Sequence, residues 1–393
     1  MRSTSTYKII IAMDSFKGCL SSGEAGQAAM EGIQQECPGI GVECIPVSDG
    51  GDGMLDVLVQ ATGGQNITLN AHDPLMRPCL ARYGISPDGH TAFIEMAMTS
   101  GLNLVPPERR NPMLTSTYGT GELVLDALKR GCRNFIIGLG GSATNDAGLG
   151  MLQALGYRFL NSGKEISGTC PEKAMNGRLM GEVTSIDTSH VHPEVREARF
   201  LLACDVQAPF YGPRGAAYVF APQKGADENM VKTLDKNLKH LAHVFQQETG
   251  KDIIQIPGTG AAGGMGGGMV ALLNATIIPG TKVVLDAIRF KERITGAKFI
   301  ITGEGKSDRQ TLMGKIPFGI LEEANQQGIP TLLLSGSIED VNDLNRAGFL
   351  GTFSTTPRPM SLAQAMIPDV ARNNIQETAR QIIRVLLHNS PAI

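Results

Sequence analysis

Short apolar runs ending in Gly- or Asp-bearing turns recur along the chain, and several lead into helically spaced apolar residues. Lys8–Met13 gives way to DSFKGCLSS and then to EAGQAAMEGIQQE, which predicts a strand, a loop and a helix. Val42–Val47 likewise precedes SDGGDG and the helical MLDVLVQAT, and Asn134–Gly138 precedes GLGGSATNDAGLG and the helical MLQALG. Further strands are predicted at Thr91–Met96, Phe200–Ala203, Lys298–Thr302, Thr331–Ser335 and Thr352–Thr355. Glu228–Glu248 and Ser361–His388, the latter broken at Pro368, carry helical spacing throughout. No internal repeat is visible.

Strands alternating with helices predict parallel sheet and the α/β class. Two such units in residues 1–66 and about three in 292–393 would complete a five-stranded, doubly wound, flavodoxin- or Rossmann-like sheet. Residues 67–291 would then form an inserted second α/β domain. In doubly wound sheets ligands collect at the carboxyl ends of strands, where the polar loops of this chain fall.

Composition narrows the function classes. Hydrophobic residues at 42% and charged ones at 19% are those of a globular chain. The 48 glycines have no three-residue period and cluster after apolar runs, where backbone amides can approach an anion. A formal charge of −3 leaves no footprint for nucleic acid, and no apolar run of about 18 residues predicts a membrane span. Met1–Tyr7 is too short and polar for a secretory signal. Cys19, Cys37, Cys44, Cys79, Cys132, Cys170 and Cys204 form no CxxC pair, so reduced, mostly buried thiols in the cytoplasm are expected rather than structural zinc. His190/His192 and His240/His243 read as solvated pairs.

Five loops carry candidate chemistry. Asp14, Ser15 and Lys17 put a carboxylate, a hydroxyl and an ammonium within four residues after a strand, although Asp14 could equally be a helix cap. Asp49 and Asp52 flank a Gly-Gly turn, which suits magnesium held together with phosphates. Gly138–Asp146 lies between a strand and a helix, where amides and the helix dipole would hold an anion. It also satisfies G-x-G-x-x-A through Gly138, Gly140 and Ala143, which keeps an NAD(P)-dependent oxidoreductase in view. Pro257–Met269 has seven glycines, too many for a helix or strand to use, and reads as a cleft wall, an anion-holding loop or a hinge. Thr302–Asp308 approaches a Walker A loop, but Ile300 stands where its first glycine belongs. Asp205, at the end of FLLAC, and Lys224, in FAPQKG, complete the set.

Taken in order, IIIAMDSFKG, PVSDGGDG, TAFIEMAMTSGL, TSTYGTGEL, GLGGSATNDAGLGMLQALG, ACDVQAP, PQKGA, GAAGGMGGG and ITGEGKSD resemble the type-1 glycerate kinase family. Met13 departs from the family's usual proline, Asp52 from glutamate and Ala221 from glycine, each without loss of the loop's chemistry. The resemblance implies two α/β domains with a cleft between them and phosphorylation of D-glycerate by ATP and Mg²⁺, most often on the 2-hydroxyl. A homo-oligomer is left open.

On that basis the nucleotide would lie along Gly140, Gly141, Ser142, Thr144 and Asn145, with Gly263 and Gly264 beside it. Asp49, Asp52 and Glu304 would hold the metal. Asp205 or Asp49 would take the glycerate proton, and Lys17 would neutralise the phosphoryl group or the carboxylate. Asp14, Ser15, Lys224, Lys306 and Asp308 would bind the substrate, with Lys315 in reserve as a further cation. The remaining alternative is a ligand sensor on a kinase-like fold.

Overall fold

The computed structural model describes residues 8–16, 18–51, 53–166 and 173–387. Chain order begins with β1 (Lys8–Met13), β2 (Gly41–Cys44), β3 (Gln65–His72), β4 (Pro78–Ile85) and β5 (Thr91–Glu95). It continues with β6 (Asn134–Gly138), β7 (Arg158–Asn161), β8 (Lys164–Glu165), β9 (Ser185–Asp187), β10 (Arg199–Ala203) and β11 (Thr276–Ile278). The last three strands are β12 (Phe299–Ser307), β13 (Thr331–Ile338) and β14 (Gly351–Ser354).

These strands fall into two compact units. One joins the chain up to Asp49 with the chain from Val284 onward; the other is Gly50–Val283. The expected limits at 66/67 and 291/292 therefore fall inside the second and the first unit respectively. The reason lies in the helix Met54–Thr62. Its Leu55 and Val59 pack on Gly84 of β4, and the amide of Leu55 donates to Glu95 at the end of β5 (2.7 Å). Apolar spacing announces that helix correctly but does not say which sheet it covers.

The first unit holds the expected doubly wound sheet, all parallel, in the order β14-β13-β12-β1-β2. Ile9, Ile10 and Ile11 are fully buried, as a strand covered on both faces requires. The helices Ser22–Glu36 and Pro368–Leu387 lie together on one face, so closely that a Cβ on Gly32 would collide with the carbonyl of Gln376. Ser21 opens the first helix with a reciprocal capping box to Glu24. Pro368 stands at the first turn of the second helix and separates it from Leu362–Ala365.

The second unit is built on a six-stranded sheet in the order β11-β10-β6-β5-β4-β3, parallel from β11 to β5 and antiparallel from β5 to β3. Phe135 and Phe200, paired across β6 and β10, stack at 4.9 Å. A small antiparallel sheet, β8-β7-β9, lies outside it. The hairpin β3–β4 is missing from the sequence reading, although NITLNA alternates apolar and polar residues.

The segment Pro257–Met269 is not an open loop. Its second half belongs to the helix Met265–Leu273, whose Gly266–Gly268 are buried. A Cβ on Gly268 would collide with the carbonyl of Ala147, and one on Gly267 with the ring of Phe210. Close approach is what demands glycine here. Among the described cysteines only Cys132 is buried and the others are half-buried, which corrects the expectation of mostly buried thiols; Cys170 lies outside the described residues.

Candidate active site

In the first unit the chain leaves β1 toward β2 on one side, and the connections from β12 run toward β13 on the other. Adjacent strands whose connections diverge leave a crevice at their carboxyl ends. A pocket of about 1010 Å³ opens there, and Asp14, Ser15, Asp49, Glu304, Lys306 and Lys315 all line it. Asp14 is buried, its amide donates to Gly303 O (2.8 Å), and its Oδ1 accepts from the amide of Ser15 (2.7 Å). The hydroxyl of Ser22 donates to Met13 O (2.7 Å) and accepts from Val47 N (2.8 Å). One side chain thereby ties the segment leading to Asp49 beside the end of β1.

The stretch GEGKS, expected as a loop, continues β12, paired with β13 through Lys306↔Ser337 and Ser307↔Ile338. Buried Glu304 accepts from Ser307 Oγ (3.0 Å) and Thr311 Oγ1 (2.6 Å) and pairs with Lys315 Nζ (3.2 Å). Both its oxygens are thus engaged with protein groups, and the ion pair positions Lys315 at the pocket. Lys306 pairs with Glu339 (2.9 Å) and Asp308 (3.7 Å), and these carboxylates hold its ammonium above the usual lysine range. Asp308 accepts from Gln310 N (2.8 Å) and does not line the pocket. Lys17 and Asp52 lie outside the described residues.

In the second unit the carboxyl ends of β6 and β10 carry Leu139–Asn145 and Asp205. Gly50 and Gly51 close on them: a Cβ on Gly138 would lie 2.9 Å from Gly50 O, and one on Gly140 would lie 3.2 Å from Gly51 Cα. The fold thus brings the Gly-Gly turn and the Gly138–Asn145 loop together. Asp205, exposed at the end of β10, accepts from the amide of Gly280 (2.8 Å).

Behind this loop sits a buried pair of opposite charges. Lys224 is 2% exposed and donates to Ser142 Oγ and Thr144 O, both at 2.7 Å. Burial pulls its ammonium down to about 7, and the nearby Asp146 opposes the shift. Asp146 accepts from Thr117 N (2.8 Å), Thr117 Oγ1 (2.7 Å), Gly148 N (3.1 Å) and Gly150 N (3.2 Å). Burial pushes its carboxyl up while these four donors draw it back. The same loop leaves Thr144 Oγ1 and both amide atoms of Asn145 buried without a hydrogen-bond partner. Each such group costs about 1–3 kcal/mol until something bonds to it.

Two expectations for this loop change. The following helix, Leu149–Ala154, has six residues and starts only after Asp146, Ala147 and Gly148, so no helix dipole points at the Gly140–Asn145 amides. For the same reason Gly138, Gly140 and Ala143 do not form the dinucleotide fingerprint; the amide of Ala143 instead donates to Ser100 O (2.8 Å). Gly263 and Gly264 are buried against the back of the loop, where Gly263 O accepts from Ala147 N (3.1 Å). A Cβ on Gly263 would collide with the carbonyl of Thr144, and one on Gly264 would lie 2.9 Å from Phe210 and Leu238. These two glycines shape the loop from behind.

Glu95 and Thr117 were not singled out from sequence, and Asp146 was named only as the end of the Gly138–Asp146 loop. A lone carboxylate closing the apolar run TAFIEMAM was the available signal for Glu95; for Asp146 the signal was its place beside Asn145. Among the described residues no three His, Cys, Asp or Glu side chains are grouped as a metal cage, and no helix is long and apolar enough to cross a membrane.

Parallel strands ending in carboxylate- and lysine-bearing loops, with buried polar groups awaiting partners, are the marks of an α/β enzyme. The model of the glycerate kinase family matches residues 9–387, and the chain belongs to that family. It is 44% identical to a glycerate kinase of Bacillus cereus, covering 96% of this chain and 97% of that protein. It is 40% identical to the glycerate 2-kinase of Escherichia coli, covering 96% and 98%. A crystal structure described as glycerate kinase 2 from Salmonella typhimurium LT2 superposes with a TM-score of 0.86 at 37% identity, over 98% of this chain and 99% of that one.

Proposed function

We propose that this chain transfers the γ-phosphoryl group of ATP to the 2-hydroxyl of D-glycerate, giving 2-phospho-D-glycerate and ADP. The observation that carries the reading is the set of unpartnered, buried groups at Thr144 and Asn145 beside Lys224. An amide offers both a donor and an acceptor, and a hydroxyl offers either. Glycerate, with one carboxylate and two hydroxyls, can answer all of them, whereas a triphosphate brings only acceptors. The E. coli relative, a glycerate 2-kinase, supports the regiochemistry.

Asp205 is the group we assign to accept the hydroxyl proton. It stands at the carboxyl end of β10 in the same unit as that loop, and its bond from Gly280 N holds it in place. Asp14 and Asp49 line one pocket, and that donor set fits magnesium, which needs only one or two carboxylates when phosphates and water complete its shell. When bound there, the ion would supply neutralisation of phosphate charge. Lys315, held by Glu304, and Lys306 offer cations to the same phosphates. An ATP-dependent reaction of this kind belongs in the cytoplasm.

The test is ³¹P NMR of the product from D-glycerate, ATP and Mg²⁺, run with wild type and Asp205→Asn. We expect a 2-phosphoglycerate resonance, and a turnover about 10²–10⁴-fold lower in the variant. A 3-phosphoglycerate resonance would overturn the regiochemistry. Unaltered turnover in Asp205→Asn would remove Asp205 as the base.

A further inference from the structure

The 1010 Å³ pocket of the first unit is lined by more than carboxylates and lysines, and part of its wall is of a different kind. Phe16, Ile338, Pro357, Met360 and Met366 also line it. Met366 remains 38% exposed and Leu362, also on the wall, 75% exposed. Apolar side chains that line a concave surface yet stay open to solvent are what a flat, apolar ligand covers. Thioether and aromatic groups suit such a ligand because they are polarisable and adapt to its faces.

A carboxamide stands among these apolar groups, with Arg358 also in the lining. Asn374, on the helix Pro368–Leu387, is half-buried with its Nδ2 3.9 Å from Met360 Sδ. A carboxamide pairs in two-point fashion with adenine, donating to one ring nitrogen and accepting from the exocyclic amine. Among the other polar lining residues, Ser354, Thr355 and Thr356 end β14 and bring hydroxyls suited to ribose. The lining thus combines apolar side chains, an amide and the guanidinium of Arg358 with hydroxyls and with carboxylates and lysines at the ends of β1 and β12. Those groups complement the base, sugar and metal-bound phosphates of a purine nucleoside triphosphate. The pocket also lies at the switch point of a doubly wound sheet.

We propose that this pocket is the nucleotide site, that Asn374 reads the adenine edge, and that Met360 and Met366 sandwich the base. The site rests on the kinase reading above for the identity of its triphosphate. It takes the nucleotide away from the Gly140–Asn145 loop, where sequence alone had placed it.

The test begins with the unaltered protein and the photoaffinity probe 8-azido-ATP, followed by peptide mapping. Labelling of residues 354–374 that ATP suppresses and D-glycerate does not is the expected result. Labelling of the Gly138–Gly148 segment instead would overturn the assignment. Asn374→Leu provides the second measurement: KM for ATP should rise about tenfold, KM for glycerate should stay within twofold, and the preference for ATP over GTP should shrink. An unchanged KM for ATP together with unchanged purine preference would also overturn it. Because labelling needs no turnover, a protein that takes the label at 354–374 but makes no phosphoglycerate would sink the glycerate reading and leave the nucleotide site standing.

Discussion

Lys224 is a residue placed where its charge is costly. Its ammonium is out of water, bonded to Ser142 Oγ and Thr144 O, and opposed by Asp146. Its folded-state value of about 7 lies below the roughly 10.4 of a lysine in the unfolded chain. Between those values the unfolded chain binds a proton that the folded one has released, so stability attributable to this group rises with pH across that window. Below pH 7 both states are charged and the contribution is flat at its lowest level. Urea midpoints of wild type relative to Lys224→Met should therefore climb between about pH 7 and pH 10; a flat difference would mean that the ammonium is not desolvated. The same variant should raise KM for glycerate by tenfold or more, because the loop that offers Thr144 and Asn145 loses the cation that shapes it.

Among the elements, the helix Met265–Leu273 and the loop it backs make the clearest case. Three consecutive glycines in a helix weaken it locally by roughly 1 kcal/mol each relative to alanine. They are there because Gly258, Phe210 and Ala147 press against Gly266, Gly267 and Gly268 in turn, where a Cβ does not fit. Gly263, with φ +66°, faces the carbonyl of Thr144 in the same way. Gly263→Ala should lose about 1–3 kcal/mol through overpacking, with added strain from its left-handed backbone. Gly39→Ala, where no atom lies within 4 Å of the new Cβ, should leave the melting temperature within about a degree. Thermal denaturation of the two variants checks this contrast, and equal losses would count against close packing as the reason for these glycines.

For the whole molecule, the main cores stay within the compact units. The large cluster that includes Phe135, Phe159, Phe210 and Phe245 lies wholly within Gly50–Val283, while Ile9, Ile301, Leu334 and Ile383 belong to a cluster of the other unit. Separate cores are a common reason for departure from two-state unfolding. Calorimetry should give a van't Hoff enthalpy below the calorimetric one, with the transition of one unit raised by ATP and that of the other by D-glycerate. Ligands that move every transition by the same amount would contradict the separate placement proposed for the two substrates.

The sequence by itself determined the class of fold, the parallel five-stranded sheet and the polar segments that end its strands. Those features follow from local periodicity and from polar residues ending apolar runs, which act over a few neighbours. β1, the helix Met54–Thr62 and Glu228–Thr249 were legible in this way almost to the residue. Only the tertiary structure decided that the Gly-Gly turn closes on Gly138–Asn145 while Asp49 lines a pocket with Asp14. It also turned a glycine-rich loop into a packed helix, tied Glu304 to Lys315, and sealed Lys224 beside Asp146. The difference is physical. Packing partners, desolvation and unsatisfied hydrogen bonds depend on residues far away in the chain, and no local pattern records them.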